Sequence, residues 1–516
     1  MSEPTDPTSL ADIALRRARR DASTPFLLTV DESEPTVVRT SSYGDVLARA
    51  TALARALTEA GVSPGDRVGC YLPNSPSWVV ASLAAWLRGA GVAAVGTLVP
   101  GPEAAALFAL ADVAAVVAVH GAPELPGGAT VIRIDDDGSL DGSGPDRGWE
   151  AADLRPPSPE ELAVAIFTSG TTGQPKGITH SHADIVAAAR RVAAGYARTS
   201  GYRPDPAPAH LAPGVLFNPF GHMAGYSRLA FRMWIGRPLV IVPRFGVGAT
   251  KVLLGLFDLD SLQLTPTMIH MLATAEDELS LGSVRYVTSG TAPLSIATRE
   301  LFEARYGVPV MQAYGMTEVG AVAQERYDDV VAGRRGPGSV GRLAAGVEVR
   351  IRPLDDDRPA GEGEILVRTD EASDAFIGGA PVPVDADGWF ATGDVGRMED
   401  GILYITGRAQ EKIIVGGFNV YPAEVEDVAR RSALVRDAVV VGLPDERLGE
   451  RPVAGIVWAG APDGDALVEE MRASLAHYKV PRALFPLDAV PLTPREKVDR
   501  RRAGELARAA LGERRS

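Results

Sequence analysis

Cysteine is nearly absent from this chain. Its 516 residues include one cysteine, Cys70, inside the apolar run 68–72. A single cysteine excludes an intramolecular disulfide and argues against a metal site built from thiolates. We therefore expect Cys70 to be a buried, inert thiol.

Long apolar runs and a basic surface are also missing. The most apolar stretch, 79–99, is interrupted by Arg88 and by glycines, which favours a packed helix followed by a strand over a membrane span. The first residues are acidic and polar, unlike a signal peptide, so we expect a cytoplasmic location. A formal net charge of −14 argues against nucleic-acid or anionic-membrane binding.

Length and patterning predict an α/β protein with more than one domain. A chain of 516 residues with 46% apolar content exceeds one ordinary core. Apolar strands alternate with helical segments up to about residue 338, which indicates parallel βαβ units. Short strands with turn residues follow to 408, and an α/β pattern returns after it. We predict an N-terminal domain over 1–408, with a β-rich subdomain at about 338–408, and a small α+β domain over 409–516.

Three local features of the first third of the chain are also predicted. Apolar spacing predicts a helix over 43–60, ended by Gly61. Residues up to about 20 are predicted to be peripheral. The segment 121–157 is rich in Pro, Gly, Asp and Ser, so it is predicted to be a surface excursion.

A loop of hydroxyl and glycine residues, Ile166-Phe-Thr-Ser-Gly-Thr-Thr-Gly-Gln-Pro-Lys-Gly177, follows a predicted buried strand at 162–167. Glycines let backbone N–H groups approach an anion, hydroxyls donate hydrogen bonds, and Lys176 adds a positive charge. This pattern predicts a phosphate cradle, although such a composition is also typical of a solvated loop. It is not a Walker loop, because the lysine follows Gln-Pro and precedes glycine.

The full string resembles the signature loop of the acyl-adenylate-forming superfamily, which includes acyl-CoA synthetases, aryl-acid ligases, peptide-synthetase adenylation domains and luciferases. Further segments resemble that family in the same order, and the match looks nearest to acid–CoA ligases. These segments are Ser289-Gly-Thr-Ala-Pro-Leu294, Gln312-Ala-Tyr-Gly-Met-Thr-Glu318, Trp389-Phe-Ala-Thr-Gly-Asp394, Gly407-Arg408, 412–426 and 491–500. The resemblance implies that the C-terminal domain is mobile.

The resemblance also implies a set of ATP- and AMP-binding residues. Asp394 would bind both ribose hydroxyls, since one carboxylate can accept two hydrogen bonds from a vicinal diol. Tyr314 would stack on the purine, Thr317 would contact a phosphate, and Glu318 would hold Mg²⁺. The full set is Thr168, Ser169, Gly170, Thr171, Thr172, Gly173, Lys176, Ser289, Gly290, Thr291, Ala292, Pro293, Gln312, Ala313, Tyr314, Gly315, Met316, Thr317, Asp394 and Arg408.

The implied catalytic residues are Lys497, His222, Thr317 and Glu318. When a carboxylate attacks the α-phosphate, two anions meet, and the cation of Lys497 would stabilise the transition state. A basic C-terminal stretch is otherwise a solvated surface. The sequence departs from the family at Gln410, the implied hinge, where relatives carry Asp or Lys, and at Glu496, where they commonly carry glycine. Lys412, Gly416 and Gly417 would border a CoA tunnel.

The implied acid pocket centres on the segment 217–225. His222 would gate the carboxylate. Amino-acid-activating relatives carry Asp where Asn218 stands, so a non-amino acid, aryl or medium aliphatic, is expected. The complete set is Phe217, Asn218, His222, Gly225, Thr267 and Gly290.

Together these residues predict an AMP-forming acid–thiol ligase that uses ATP, Mg²⁺ and CoA. It would form acyl-AMP and pyrophosphate, then pass the acyl group to CoA, as a monomer or a homodimer. An alternative is a free-standing adenylating enzyme that loads a separate carrier protein or another small nucleophile. An acyl-phosphate-forming enzyme and a non-catalytic adenylate-binding protein remain further alternatives.

Overall fold

The computed structural model describes residues 6–30, 37–125, 128–140, 157–169, 175–200, 213–336, 338–354, 361–369, 375–416, 418–493 and 498–512. The described helices are α1 (Leu10–Arg20), α2 (Tyr43–Glu59), α3 (Pro76–Leu87), α4 (Gly101–Leu110), α5 (His182–Ser200), α6 (Met223–Ile235), α7 (Val247–Leu256), α8 (Pro266–Ala273), α9 (Ile296–Tyr306), α10 (Tyr327–Val331), α11 (Pro422–Arg430), α12 (Gly464–Ser474) and α13 (Arg500–Ala510). A short 3₁₀ helix covers Ala409–Glu411. Of the helices in these ranges, none has the length and apolar character to cross a bilayer.

The strands fall into four sheets. They are β1 (Pro25–Val30), β2 (Val38–Ser42), β3 (Arg67–Leu72), β4 (Gly91–Gly96), β5 (Ala115–Val119), β6 (Thr130–Ile134), β7 (Leu162–Ser169), β8 (Pro175–Ser181), β9 (Gly214–Leu216), β10 (Leu239–Ile241), β11 (Ser261–Leu264), β12 (Tyr286–Ser289), β13 (Val310–Met316), β14 (Gly320–Gln324), β15 (Ser339–Leu343), β16 (Val347–Pro353), β17 (Glu362–Thr369), β18 (Phe390–Glu399), β19 (Ile402–Arg408), β20 (Ile413–Val415), β21 (Phe418–Val420), β22 (Val435–Asp445), β23 (Gly449–Trp458) and β24 (Ala483–Pro486).

A six-stranded sheet carries the predicted phosphate loop. Its order is β6-β5-β3-β4-β7-β8, and β3 pairs in parallel with both β4 and β5. Helices α3 and α4 provide the crossovers, as the alternation predicts. Parallel strands covered on both faces read as continuous apolar runs. Cys70 is buried in β3, and burial raises the pKa of its thiol to about 12.

The β7 strand, which feeds the phosphate loop, is followed by an antiparallel partner. Thr168 of β7 lies opposite Lys176 of β8 in the ladder. This register brings the lysine back to the end of the strand from which the loop departs. The predicted helix over 43–60 is observed as α2, which a Ser42–Asp45 capping box begins.

The N-terminal helix belongs to the core, so the prediction that it is peripheral is wrong. Leu10, Ile13 and Leu15 of α1 are at most 3% exposed. The side chain of Arg17 donates hydrogen bonds to two carbonyl oxygens near the end of α6, at 3.0 and 2.9 Å. The arginines of this segment made it look solvated, although its apolar residues share one helix face.

The predicted surface excursion over 121–157 contains a strand that the prediction missed. β6 pairs in parallel with β5 and forms the edge of the six-stranded sheet. Its burial is only partial, as expected of an edge strand. Turn residues on both sides concealed the five-residue pattern.

The predicted β-rich subdomain shares its sheet with earlier residues. A nine-stranded sheet has the order β11-β12-β13-β14-β15-β19-β18-β17-β16. Its pairs are parallel from β11 to β13 and antiparallel from β13 onward. Val319 and Val322 pack in the same apolar cluster as Val340 and Leu403. Residues 310–324 therefore connect the α/β layers to the β-rich unit.

The C-terminal unit, defined here as residues 412–512, has its own sheet. β20 to β24 form it, with β22 and β23 as its long central pair. Two apolar clusters in this unit contain only residues from Ile413 onward among those described. This separate core is what an independently moving unit requires.

His182, at the start of α5, makes a pH-dependent contribution to stability. Its ring packs edge-on against Trp86, with ring centroids 5.3 Å apart. Burial lowers its pKa from 6.5 to about 4. The unfolded chain therefore binds this proton at a higher pH than the folded chain, and stability is lost as the pH falls from 6.5 toward 4.

We expect the free energy of unfolding to fall, between pH 7 and pH 5, by about 2 kcal/mol more in the wild type than in His182→Gln. Denaturant titrations followed by tryptophan fluorescence at both pH values measure this difference. Identical pH dependences in the two proteins would show that His182 is not the titrating group.

Candidate active site

A cleft of about 2480 Å³ is lined by both the N-terminal layers and the C-terminal unit. Most of the motif residues that the structure describes lie in its wall. Those residues are Lys176, His222, Thr267, Ser289, Gly290, Thr291, Ala292, Pro293, Gln312, Ala313, Tyr314, Gly315, Met316, Thr317, Glu318, Asp394 and Arg408.

Other predicted site positions lie outside the described residues. These are the phosphate-loop residues 170–174, Gly417, Lys497, and the side chains of Thr168, Ser169 and Gln410.

The carboxylate of Asp394 joins three strands at the cleft. Asp394 on β18 stands opposite Arg408 on β19. Arg408 Nε donates to one carboxylate oxygen at 2.8 Å, and the hydroxyl of Tyr314 on β13 donates to the other at 2.7 Å. Each carboxylate oxygen can accept more than one hydrogen bond, so Asp394 can still accept two from a ribose.

The same cluster fixes the protonation of its phenol and its guanidinium. Burial and the charge of Asp394 raise the pKa of Tyr314 well above its usual value, so the phenol remains a hydrogen-bond donor. Burial opposes the charge on Arg408, but the carboxylates of Asp394 and Glu411 outweigh it and raise the pKa of Arg408. A cation and a neutral donor therefore flank the predicted ribose site.

The loop after β12 shows two features typical of ligand sites. Thr291 has a φ of 71°, which is uncommon for a residue other than glycine. Ser289 is 2% exposed, and its hydroxyl has no hydrogen-bond partner among the described residues. Strained backbone and unused buried polar groups concentrate where a ligand binds. Both features agree with the predicted AMP-binding role of this loop.

The motif 312–318 runs along β13 into a hairpin. The backbone N–H of Gln312 donates to Glu325 at 2.9 Å, and its side-chain amide donates to the Ser339 carbonyl at 3.1 Å. These bonds fix the strand, and Thr317 and Glu318 then occupy the turn before β14. The chain thus returns as the antiparallel strand β14 after the turn.

A nucleotide-bound Mg²⁺ fits this turn. Within the described ranges, no group of three or more His, Cys, Asp or Glu side chains forms a metal cage. Magnesium on a nucleotide needs only one or two carboxylates, because phosphates and waters complete its coordination. Glu318 in the cleft wall can supply one carboxylate.

Lys176 reaches the cleft from β8. Its ammonium lies 5.2 Å from the ring centroid of Phe376. An aromatic face attracts an ammonium group without occupying its N–H donors, so Lys176 can still donate hydrogen bonds to an anionic ligand.

One face of α6 forms the wall of the predicted acid pocket. His222 precedes the first residue of the helix and lines the cleft. The other helix residues on this face are Met223, Ala224, Ser227, Arg228 and Phe231. Their spacing is that of a single helix face.

Three residues predicted for the acid pocket lie outside its wall. Phe217, Asn218 and Gly225 are buried and do not belong to the cleft lining. Phe217 packs against Phe245, with ring centroids 5.1 Å apart. A Cβ on Gly225 would lie 2.7 Å from the Pro219 carbonyl, so glycine lets α6 approach the preceding loop. These residues support the pocket from behind its surface.

Two residues predicted for the CoA tunnel are exposed. Lys412 and Gly416 do not belong to the cleft lining, and Gly416 has a φ of 58° at the turn after β20. Their role stays a prediction. The nearby Phe418 does line the cleft, and it stacks on Tyr478 with ring centroids 4.7 Å apart.

The sequence reasoning missed a contact between the C-terminal unit and α9. Asp427 of α11 accepts hydrogen bonds from the backbone N–H groups of Ile296, at 2.8 Å, and Ala297, at 3.3 Å. A carboxylate at a helix N-terminus satisfies orphan donors and complements the helix dipole. No local pattern marks this residue, because its partner lies 131 positions earlier.

The chain belongs to the AMP-binding enzyme family. The family model matches residues 16–374, and the model of the AMP-binding enzyme C-terminal domain matches residues 424–497. The resemblance drawn from the motifs is thereby confirmed, as is the α/β fold with a large N-terminal and a small C-terminal part.

Named relatives and solved structures are similar to this chain over nearly its whole length. The chain is 31% identical to a long-chain-fatty-acid–CoA ligase of Mycobacterium tuberculosis, over 90% of this chain and 93% of that protein. It superposes on an amide bond synthetase of Marinactinospora thermotolerans with a TM-score of 0.78 and 27% identity, covering 96% and 99% of the two chains. An anthranilate CoA ligase bound to anthranoyl-AMP shares the fold, with a TM-score of 0.81, 22% identity and 98% coverage of both chains.

We expect Asp427→Ala to loosen the docking of the C-terminal unit by roughly 1–3 kcal/mol, because two hydrogen bonds to a charged acceptor are lost. Limited proteolysis near residues 409–411 should become faster. Glu469→Ala is the matched control, since this exposed carboxylate forms its ion pair with Arg472 on its own helix. Equal cleavage rates in the two variants would argue against a docking role for Asp427.

Proposed function

We propose that this protein is an acid–CoA ligase that activates a non-amino carboxylic acid. The acid carboxylate attacks the α-phosphorus of ATP, the bond to the β-phosphate bridge breaks, and acyl-AMP and pyrophosphate form. The thiol of CoA then attacks the acyl carbon, AMP leaves, and the thiol proton is released. Magnesium on the nucleotide, held by Glu318, would offset phosphate charge during the first step.

The cleft is the observation that carries this proposal. One continuous wall contains the residues that resemble adenine, ribose, phosphate and acid contacts in the family. A nucleotide and an acid can therefore meet in one site, and family membership makes adenylate formation the chemistry that fits it.

The described residues have separate tasks in this scheme. Asp394 accepts the ribose hydroxyls, while Tyr314 and Arg408 hold its carboxylate in place. Lys176 and His222 both line the cleft; in this scheme Lys176 would face the phosphates and His222 would gate the carboxylate. Lys497 is assigned the bridging cation between the two reacting anions. Electrostatic stabilisation of this kind commonly accounts for more of an enzyme's rate enhancement than any other single effect.

A second acceptor competes with CoA in this proposal. An amide bond synthetase shares this fold, so an amine is the alternative acceptor to test. The predicted tunnel residues Lys412 and Gly416 are exposed outside the cleft lining. Product analysis with CoA and with a simple amine separates the two acceptors. A carrier-protein partner, the oligomeric state and a cytoplasmic location stay predictions of the sequence.

We expect Lys497→Ala to reduce carboxylate-dependent exchange of labelled pyrophosphate into ATP by about 10²-fold or more, since removing one electrostatic stabiliser costs ~3 kcal/mol. The control is Lys251→Ala, which removes an exposed lysine of α7. Exchange at the wild-type rate in the Lys497 variant would remove this residue from the proposed role.

We expect Gln410→Pro to leave acyl-AMP formation intact and to block thioester formation. Proline fixes φ and removes a backbone N–H at the implied hinge, so the domain rotation between the two steps is impeded. Single-turnover assays that follow acyl-AMP and acyl-CoA separately measure both steps, with Gln410→Ala as the control. Equal losses in both steps would place the hinge elsewhere.

A further inference from the structure

Arg228 is a charged residue on the acid-pocket face of α6. It follows His222 by six positions, and a rise of about 1.5 Å per residue places it about 9 Å further along the helix. Both residues line the cleft. Arg228 therefore lies beyond the point where the reacting carboxylate is expected.

The guanidinium of Arg228 is buried and only partly paired. The residue is 8% exposed. Its Nε donates to the Val215 carbonyl at 3.3 Å, whereas its Nη2 has no hydrogen-bond partner among the described residues. Burying a cationic donor without a hydrogen-bond partner costs free energy of folding. We therefore expect a ligand to supply the missing partner.

Asp260, a carboxylate near Arg228, already contacts other cationic and hydroxyl groups. Asp260 lies 3.2 Å from Arg237 Nη1 and 4.0 Å from Arg232 Nη2, and it also accepts from the hydroxyls of Tyr196 and Ser261. Asp260 is therefore already shared between Arg232 and Arg237. Arg232 is fully buried, and none of its guanidinium nitrogens has a hydrogen-bond partner among the described residues, so positive charge is concentrated at this end of the pocket.

The cleft lining combines apolar and polar side chains at α6. Phe231 lies with its ring centroid 5.8 Å from the guanidinium carbon of Arg228. Ser227, Gln263, Thr288 and the phenol of Tyr286 also belong to the lining, and they offer hydrogen bonds to a polar ligand.

We infer that the acid substrate carries a second anionic group, a carboxylate or a sulfonate, that pairs with Arg228 while the reacting carboxylate lies near His222. This inference rests on the proposed function and narrows its substrate class. A planar guanidinium binds a carboxylate through two parallel hydrogen bonds, which orients the substrate along the pocket. Arg228 is then a specificity-determining residue that contacts the end of the substrate distant from the reaction.

The test compares linear dicarboxylates from succinate to suberate with monocarboxylates of equal carbon number, by pyrophosphate release and by calorimetric binding. For the best dicarboxylate, kcat/KM should exceed that of its monocarboxylate by about tenfold or more. Arg228→Met should lower kcat/KM for that dicarboxylate by about 10²-fold or more, and should leave the monocarboxylate within about tenfold of wild type. Ser227→Ala, on the same helix face, should affect both acids alike.

Two results would overturn the inference. One is a wild-type preference for the monocarboxylate at every length, which the wild-type protein alone can show even if the variant fails to fold. The other is an equal loss for both acids in Arg228→Met. If only monocarboxylates are turned over, the second anionic group is refuted and the proposed function stands. If dicarboxylates bind in an Arg228-dependent way but no pyrophosphate is released, the second anionic group is supported and the proposed function is refuted.

Discussion

The carboxylate of Asp394 is the constraint on which the site depends. It holds the phenol of Tyr314 and the guanidinium of Arg408, and so it ties together β13, β18 and β19 of one sheet. Arg408 is also the last residue before the 3₁₀ helix Ala409–Glu411. The group expected to bind ribose is therefore also the anchor of the connection to the C-terminal unit.

That connection is tied to the other end of the C-terminal unit by Arg500. Its Nε donates to Glu411 at 2.9 Å, and its Nη2 donates to the buried Glu426 at 3.3 Å. Burial opposes the charge, but these two carboxylates raise the pKa of Arg500 above its usual value. Because Arg500 follows Lys497 by three positions, the segment that carries the assigned catalytic cation is linked to the residues beside the hinge. The Asp427 contact with α9 then fixes this arrangement against the N-terminal layers.

Much of the fold could be predicted because its signals are local. Apolar periodicity predicts α2, and apolar runs predict the parallel strands that carry the phosphate loop. The N-terminal helix was misjudged because its arginines obscure the apolar stripe that α6 and α2 cover. β6 was missed because five residues between turn-forming segments carry little periodic signal.

The site residues that could be predicted are likewise those whose signal is local in the sequence. Motifs that are continuous in sequence, such as 289–294 and 312–318, proved to lie in the cleft wall. Phe217, Asn218 and Gly225 were predicted to line the acid pocket because they lie near His222 in the sequence. They lie outside the cleft lining because a helix and the loop before it turn neighbouring residues to opposite sides. The pairing of Asp427 with α9 joins residues 131 positions apart. The charge near Arg228 depends on how Asp260 is shared between Arg232 and Arg237, which only the folded structure shows.

Identification of the nucleotide product tests the central claim most directly. The protein is incubated with ATP and a carboxylic acid from an aryl and aliphatic panel, and the products are separated by anion-exchange chromatography. Cleavage between the α- and β-phosphates predicts AMP and pyrophosphate, formed only when the acid is present. Acid-dependent formation of ADP and inorganic phosphate would contradict adenylate formation at this site.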